Sequence, residues 1–328
     1  MTRILLVGDI HMSDHAPANA TESYGDDIIA MLSHVAQMER DLDADAVVWA
    51  GDVFHHKAPS KTSHATVLKM INVVREYRNL LIVVGNHDVS NDVYESVSEK
   101  QPLGILFQSG AQELNGWHPT LPLFGVPWQQ HWERDLQDAF EDWREDRKAM
   151  ENPRPALSVT HASIFPPGQD PIYDHLDTTL VAQAMGNQGT LYYGHIHENH
   201  GIYEHEGVTF ANVGALSRGS LTEYNTSRPI QVALWDDHKE EGGLYNPEPT
   251  ATIEAITIPH KPASEVFRVQ QVMDKKATTL SLDQFLSEVG SKTLDISSTA
   301  SVVTHIRAMD VPDRIKARAI SLVEEFSK

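Results

Sequence analysis

Five short strings in this chain combine residue types that hold divalent cations. They are Gly8-Asp9-Ile10-His11, Gly51-Asp52-Val53-Phe54-His55, Gly85-Asn86-His87-Asp88, His161 alone, and Gly194-His195-Ile196-His197. Asp9 and His11, two apart in an extended turn, can point at one ion. Asp52 has two carboxylate oxygens and can bridge two ions. Asn86 offers a neutral oxygen ligand. His87 is then free to act as an acid, with Asp88 able to orient it. His195 and His197, one residue apart on extended backbone, point to opposite sides and can serve different ions. Each string alone has a plainer reading: with 18 histidines in the chain, one near a strand end is unremarkable, and a lone Asp there is more often a cap. The five in order, four of them opened by Gly, indicate a dinuclear metal centre. Cysteine is absent, so the donors are nitrogen and oxygen, a set that suits Mn, Fe, Zn or Mg.

Each string directly follows a short apolar run: Ile4–Val7, Ala46–Trp49, Leu80–Val84, Leu157–Thr160 and Leu191–Tyr193. These runs read as buried strands. Ligands in α/β sheets bind beyond the carboxyl ends of strands. Between the early runs lie amphipathic stretches. Asp26–Leu42 aligns Ile28, Met31, Leu32, Val35 and Met38, and Ser63–Tyr77 aligns Val67, Met70, Ile71 and Val74. Strand alternating with helix predicts a layered α/β domain. Beyond His197, Val208–Val213, Ile230–Trp235 and Ala251–Ile258 read as strands. The acidic stretch Trp132–Met150 reads as a solvated surface helix. Leu282–Val289, Ala300–Met309 and Asp313–Phe326 read as three helices behind a boundary near Pro259. The expected division is therefore a catalytic domain over 1–258 and a helical region over 259–328.

With 328 residues, 41% of them hydrophobic, the chain can bury a full core. It has no apolar run of about 18 residues, so no transmembrane helix is expected. Met1–Val7 reads as a strand without a signal-peptide cleavage pattern, and the cytoplasm is the expected compartment. The net charge of −20 argues against gripping nucleic acid through the overall field.

The order D-x-H, G-D, G-N-H-D, H, G-H-x-H resembles that of the calcineurin-like metallophosphoesterases over residues 1–258. The resemblance implies an α-β-β-α sandwich. It assigns one cation to Asp9, His11, Asp52 and His197, and the other to Asp52, Asn86, His161 and His195. A hydroxide between the cations attacks phosphorus in line with the leaving oxygen, which His87 stabilises or protonates.

The stretch Gly51–Ser60 resembles the G-D-x-F-H-x-x-x-P-S string of SbcD-like DNA repair nucleases. Protein phosphatases of the superfamily carry Asp-Arg-Gly at this site and a Glu closing the third string. This chain has Phe54-His55 and Asp88 instead. The likeness implies Mn²⁺-dependent exonuclease and endonuclease action on DNA in repair or recombination, with His55, Lys57 and Ser60 near the substrate. It also implies an SbcC-type ATPase partner docking on C-terminal helices, although about 70 residues are short for both a cap and a docking element. A homodimer is a further option.

Asn212–Arg218 is similar to the Gly-Ser-x-x-Arg segment of those nucleases, with Ala215 in place of the expected Ser. Ser217 and Arg218 are candidate phosphate contacts; a plain strand-to-turn segment fits as well. Lys57, Lys61 and Lys69 could soften the acidity locally. Two rival readings stand: a phosphodiesterase or phosphatase for nucleotides or other small phosphoesters, and a metal-bound interaction module with little turnover.

Overall fold

The apolar runs become strands of two facing sheets. In chain order the strands are β1 (Arg3–Val7), β2 (Ala46–Trp49), β3 (Leu80–Ile82), β4 (Gln112–Glu113), β5 (Gly116–Trp117), β6 (Leu123–Val126), β7 (Leu157–His161), β8 (Ile164–Phe165), β9 (Leu176–Asp177), β10 (Thr190–Gly194), β11 (Gly201–His205), β12 (Val208–Asn212), β13 (Gln231–Asp236) and β14 (Thr252–Thr257). This computed structural model describes residues 2–90, 97–128, 132–149, 156–169, 171, 174–237, 251–268, 306–307, 316–317 and 320. The chain divides into two compact units, Met1–Val266 and Phe267–Lys328.

The first sheet has the order β14-β13-β1-β2-β3-β4 and the second β11-β12-β10-β7-β6-β5. β1 to β4 run parallel, as do β6, β7, β10 and β12. Antiparallel strands complete the edges, with β13 and β14 on the first sheet and β5 and β11 on the second.

Side-chain alternation along the strands builds the layers. Ile4, Leu6, Val48, Leu81 and Trp235 of the first sheet meet Leu157, Val159, Tyr192 and Ala211 of the second in one buried cluster. The intervening Leu5, Val47 and Trp49 are also fully buried. They face the layer that holds α1 (Tyr24–Asp41) and α2 (His64–Val74). There Trp49 meets Tyr77 edge-on at 5.6 Å, and the Tyr77 hydroxyl donates to the Leu32 carbonyl of α1 at 2.7 Å. On the far side of the second sheet, Phe140 and Trp143 of the helix Trp132–Ala149, with Val181 of Thr178–Ala184, pack on Phe124, Leu191 and Phe210. The layering is α-β-β-α.

That outer helix departs from the sequence reading. Its solvated character is confined to one side, because Leu136, Phe140 and Trp143, at i, i+4 and i+7, are 3%, 0% and 0% exposed. Trp143 also stacks on Trp117 at 6.1 Å. Trp143→Ala should therefore destabilise the protein by about 3–5 kcal/mol in urea unfolding; a loss below about 1 kcal/mol would place the helix outside the core.

The runs expected after His197 form β12, β13 and β14. The expected helix Leu282–Val289 lies outside the described residues. Of Ala300–Met309 and Asp313–Phe326, only residues 306–307, 316–317 and 320 are described, and all five are helical. No helix among the described residues is long and apolar enough to cross a membrane.

Candidate metal centre

Parallel pairing brings the chemical strings to one end of each sheet. Val7 is in register with Trp49, and Trp49 with Ile82, so Asp9, Asp52 and Asn86 emerge side by side. On the second sheet Gly194 is in register with His161. The His11 N–H donates to the Asp52 carbonyl at 2.8 Å. The His195 N–H donates to Asp9 Oδ1 at 2.9 Å, joining the two sheets at the centre.

Two of the glycines are required by this crowding. A Cβ on Gly51, whose φ is +100°, would lie 2.3 Å from His161 Nδ1. A Cβ on Gly85 would lie 2.2 Å from the Asp52 nitrogen. Three of the chemical residues take the left-handed backbone that non-glycine residues seldom adopt: His11 (φ 50°), Asp52 (φ 48°) and His195 (φ 80°). Such strain persists where surrounding contacts over-determine it, as here.

Asp9, His11, Asp52 and His197 form one group whose ligand atoms all lie within 4.8 Å of one another; Asp52, His161 and His195 form a second. The two oxygens of Asp52 face different groups. Oδ2 is 3.5 Å from His11 Nε2, and Oδ1 is 3.3 Å from His161 Nε2. Asn86 Oδ1 joins the second group, 3.0 Å from both His161 Nε2 and His195 Nδ1.

The donor set fits divalent cations. His11 Nε2 and His197 Nε2 approach to 2.8 Å beside Asp52, and His11 Nδ1 is buried without a partner. Burial drives the His11 pKa down to about 3, against the opposing pull of Asp52. Burial, reinforced by His161, does the same to His195, also to about 3. Both rings are therefore neutral at pH 7, the form in which an imidazole can bind a cation. His161 differs. Burial pushes it down, but the Asp52 carboxylate outweighs that and lifts it to about 9. Its Nδ1 lies 2.8 Å from the Ala50 carbonyl, which leaves Nε2 for the centre. Burial opposes ionisation of Asp52, yet His161 and His11 hold it well below the usual carboxylate range. Burial raises Asp9, with His161 and His197 opposing.

His87 reaches the centre, but its orientation has a different source from the one expected. Its Nδ1 sits 2.5 Å from the His55 carbonyl, and its ring lies edge-on to His11 at 4.9 Å. Asp88 is turned inward, only 2% exposed. Its carboxylate accepts from the N–H groups of Gly85 (3.1 Å), Val53 (3.1 Å) and Phe54 (3.2 Å). Burial, with the Asp52 charge adding, raises it to about 7. The expected role of Asp88 on the His87 ring is thus corrected: the His55 carbonyl holds the ring, and Asp88 ties the second string to the third.

A cleft of about 400 Å³ opens beside His11 and His197. Its walls include His55, His56, Ser13, Ser217 and Asn225, and Lys57, Ser60 and Arg218 are not among its lining residues. His55 stacks on His87 at 5.7 Å. The Lys57 carbonyl accepts from Gln101 Nε2 at 3.0 Å, and Ser60 is exposed in the turn Pro59–Lys61. Lys69 is paired with Asp26 at 2.6 Å. Arg218 overturns the phosphate-contact expectation. It is 6% exposed, and its guanidinium donates to the carbonyls of Lys261 (2.9 Å) and Arg228 (3.5 Å). The sequence reading also missed Trp128, whose ring lies 5.2 Å from that of His195. A single aromatic after an unrecognised strand carried no signal.

Two facing sheets with a mixed His/Asp/Asn centre at their strand ends accord with the match of residues 2–199 to the family described as calcineurin-like phosphoesterase. The chain belongs to that family. No curated protein matches it. Among solved structures, it is similar to a 5'-nucleotidase from Candida albicans, at 13% identity and TM-score 0.45, over 79% of this chain and 52% of that one. It is also similar to a dimetal phosphatase from Danio rerio, at 12% identity and TM-score 0.49, over 71% of this chain and 92% of that one. The chain thus spans about half the length of the nucleotidase.

Proposed function

We propose that this protein is a two-metal phosphodiester hydrolase acting on DNA, a nuclease of the SbcD-like branch. Asp9, His11, Asp52 and His197 would hold one cation, and Asp52, Asn86, His161 and His195 the other, with Mn²⁺ the first candidate. The observation that carries the two-cation reading is the split of Asp52, one oxygen toward His11 and the other toward His161. When bound, such cations neutralise phosphate charge and activate water at neutral pH.

The chain's own residues do the rest. His87, fixed through Nδ1 by the His55 carbonyl, presents its other nitrogen to the leaving oxygen and supplies the proton that oxygen needs. His55 and Ser217 border the substrate. The DNA assignment rests on the Gly51–Ser60 string. The proposal extends to a cytoplasmic setting, to a catalytic region over 1–258, and to a C-terminal region that docks an SbcC-like ATPase.

A second reading, hydrolysis of nucleotides or other small phosphoesters, is favoured by the cleft. Neither Lys nor Arg is among its lining residues, whereas tracking a nucleic-acid backbone ordinarily uses several. A Mn²⁺ assay on linear double-stranded DNA, beside bis-p-nitrophenyl phosphate and cyclic nucleotides, separates the two. Nucleotides released from DNA supports the nuclease; hydrolysis of the small esters alone overturns it.

A further inference from the structure

One aromatic side chain packs against both imidazoles on one side of the centre. Trp128 follows β6 by two residues, and the register of Val126 with Thr160 sets it beside the strand that ends at His161. Its backbone N–H donates to the Val84 carbonyl at 2.8 Å, two residues before Asn86, and fixes where the side chain starts. Its ring inclines 34° over His195 at 5.2 Å and stands edge-on to His161 at 6.3 Å. The two imidazoles are themselves 5.1 Å apart, at 73°. The three rings are thus in mutual contact, and the two imidazoles both face the Asn86 oxygen. The other half of the centre is built differently. The ring contacts of His11 are to His55, His87 and His197.

We propose that Trp128 is a positioning residue for the cation site of Asp52, Asn86, His161 and His195, and that it sets the affinity of that site separately from its neighbour's. The proposal rests on the two-cation reading above. His195 sits on left-handed backbone, so its ring is aimed by what packs against it. The indole covers that ring and limits its swing away from Asn86. Removing the indole leaves the ring free to leave the ligand position, and each productive encounter with a cation then requires it to be re-ordered. Loss of an outer contact that orients a ligand typically weakens a metal site by about 10–100-fold. His11 and His197 make no ring contact with the indole among the described residues, so the weakening should be one-sided.

The test is calorimetric titration of the metal-stripped full chain with Mn²⁺, together with metal content after dialysis. Wild type should take up two cations. His197→Ala marks the step that belongs to the neighbouring site. Trp128→Ala should weaken the remaining step by about 10–100-fold and leave the marked one in place. Trp128→Phe, which restores a ring, should recover most of the loss, and Trp128→Leu, of similar bulk without one, should not. Unchanged binding in Trp128→Ala, or equal weakening of both steps, overturns the proposal. Should Trp128→Ala fail to fold, equal binding by the Phe and Leu variants overturns it. Wild type that takes up no cation would instead overturn the two-cation reading itself.

Discussion

Asp52→Asn should strip the protein of both cations at concentrations that saturate wild type, and hydrolysis should vanish with them. The substitution isolates charge from shape. Asn keeps an oxygen that can accept the His87 N–H, which Asp52 Oδ1 binds at 2.8 Å in the native protein. The loop carrying Asn86 and His87 therefore retains its anchor. What changes is the other end of the carboxylate. An amide has one acceptor oxygen where the carboxylate has two, and with that oxygen kept at the Oδ1 position its NH₂ faces His11. Each site then loses half of a shared negative charge, and one gains a donor pointed at the ion. The weakening at each should exceed the factor of about 100 that marks the upper range for an outer-shell loss. Metal content after dialysis and two-step titration read the result. One site lost with the other intact would show that Asp52 serves a single ion, and the bridging assignment would fall.

The grouping of these residues was legible in the sequence because of where they sit. Ile4–Val7 and Ala46–Trp49 are apolar at every position, and Leu157–Thr160 at all but Ser158 and Thr160, as expected of strands buried on both faces. A string that follows such a run directly has only one place to go, the sheet end. The glycines were legible too: Gly51 and Gly85 lie where His161 and Asp52 leave no room for a Cβ. Elsewhere the physics was non-local and the sequence silent. β4 and β5 are two residues each, exposed or half-buried at sheet edges, with no periodic signal to read. In Trp132–Ala149 the many acids obscured Leu136, Phe140 and Trp143 at helical spacing. Arg218 was read as a phosphate contact from its motif, but its guanidinium is captured by carbonyls 10 and 43 residues further along. A motif names a residue type; the direction of the side chain depends on partners that only the fold supplies. Asp88 teaches the same point. Its neighbour in sequence is His87, yet three backbone N–H groups claim its carboxylate and hold it buried.

His87→Ala should keep both cations and lose activity by about 10²–10⁴-fold, and the loss should depend on the leaving group. The His87 ring contributes no atom to either of the two ligand groups that hold Asp52. Its Nδ1 is occupied by the His55 carbonyl at 2.5 Å, so a proton can be delivered only from the other nitrogen. A sugar alkoxide leaving from DNA is a strong base and needs that proton as the P–O bond breaks. A p-nitrophenolate is stable as an anion and does not. The variant should therefore lose the full factor on DNA or on an alkyl phosphodiester, and far less on bis-p-nitrophenyl phosphate. Removing the ring leaves the His55 carbonyl exposed to water rather than buried, so the variant should fold normally. Equal losses on both substrates, with both cations present, would mean that His87 acts on the phosphoryl oxygens and not on the leaving group. Loss of metal would mean that it is a ligand. Only a loss graded by leaving-group basicity, at full metal content, assigns it the proton.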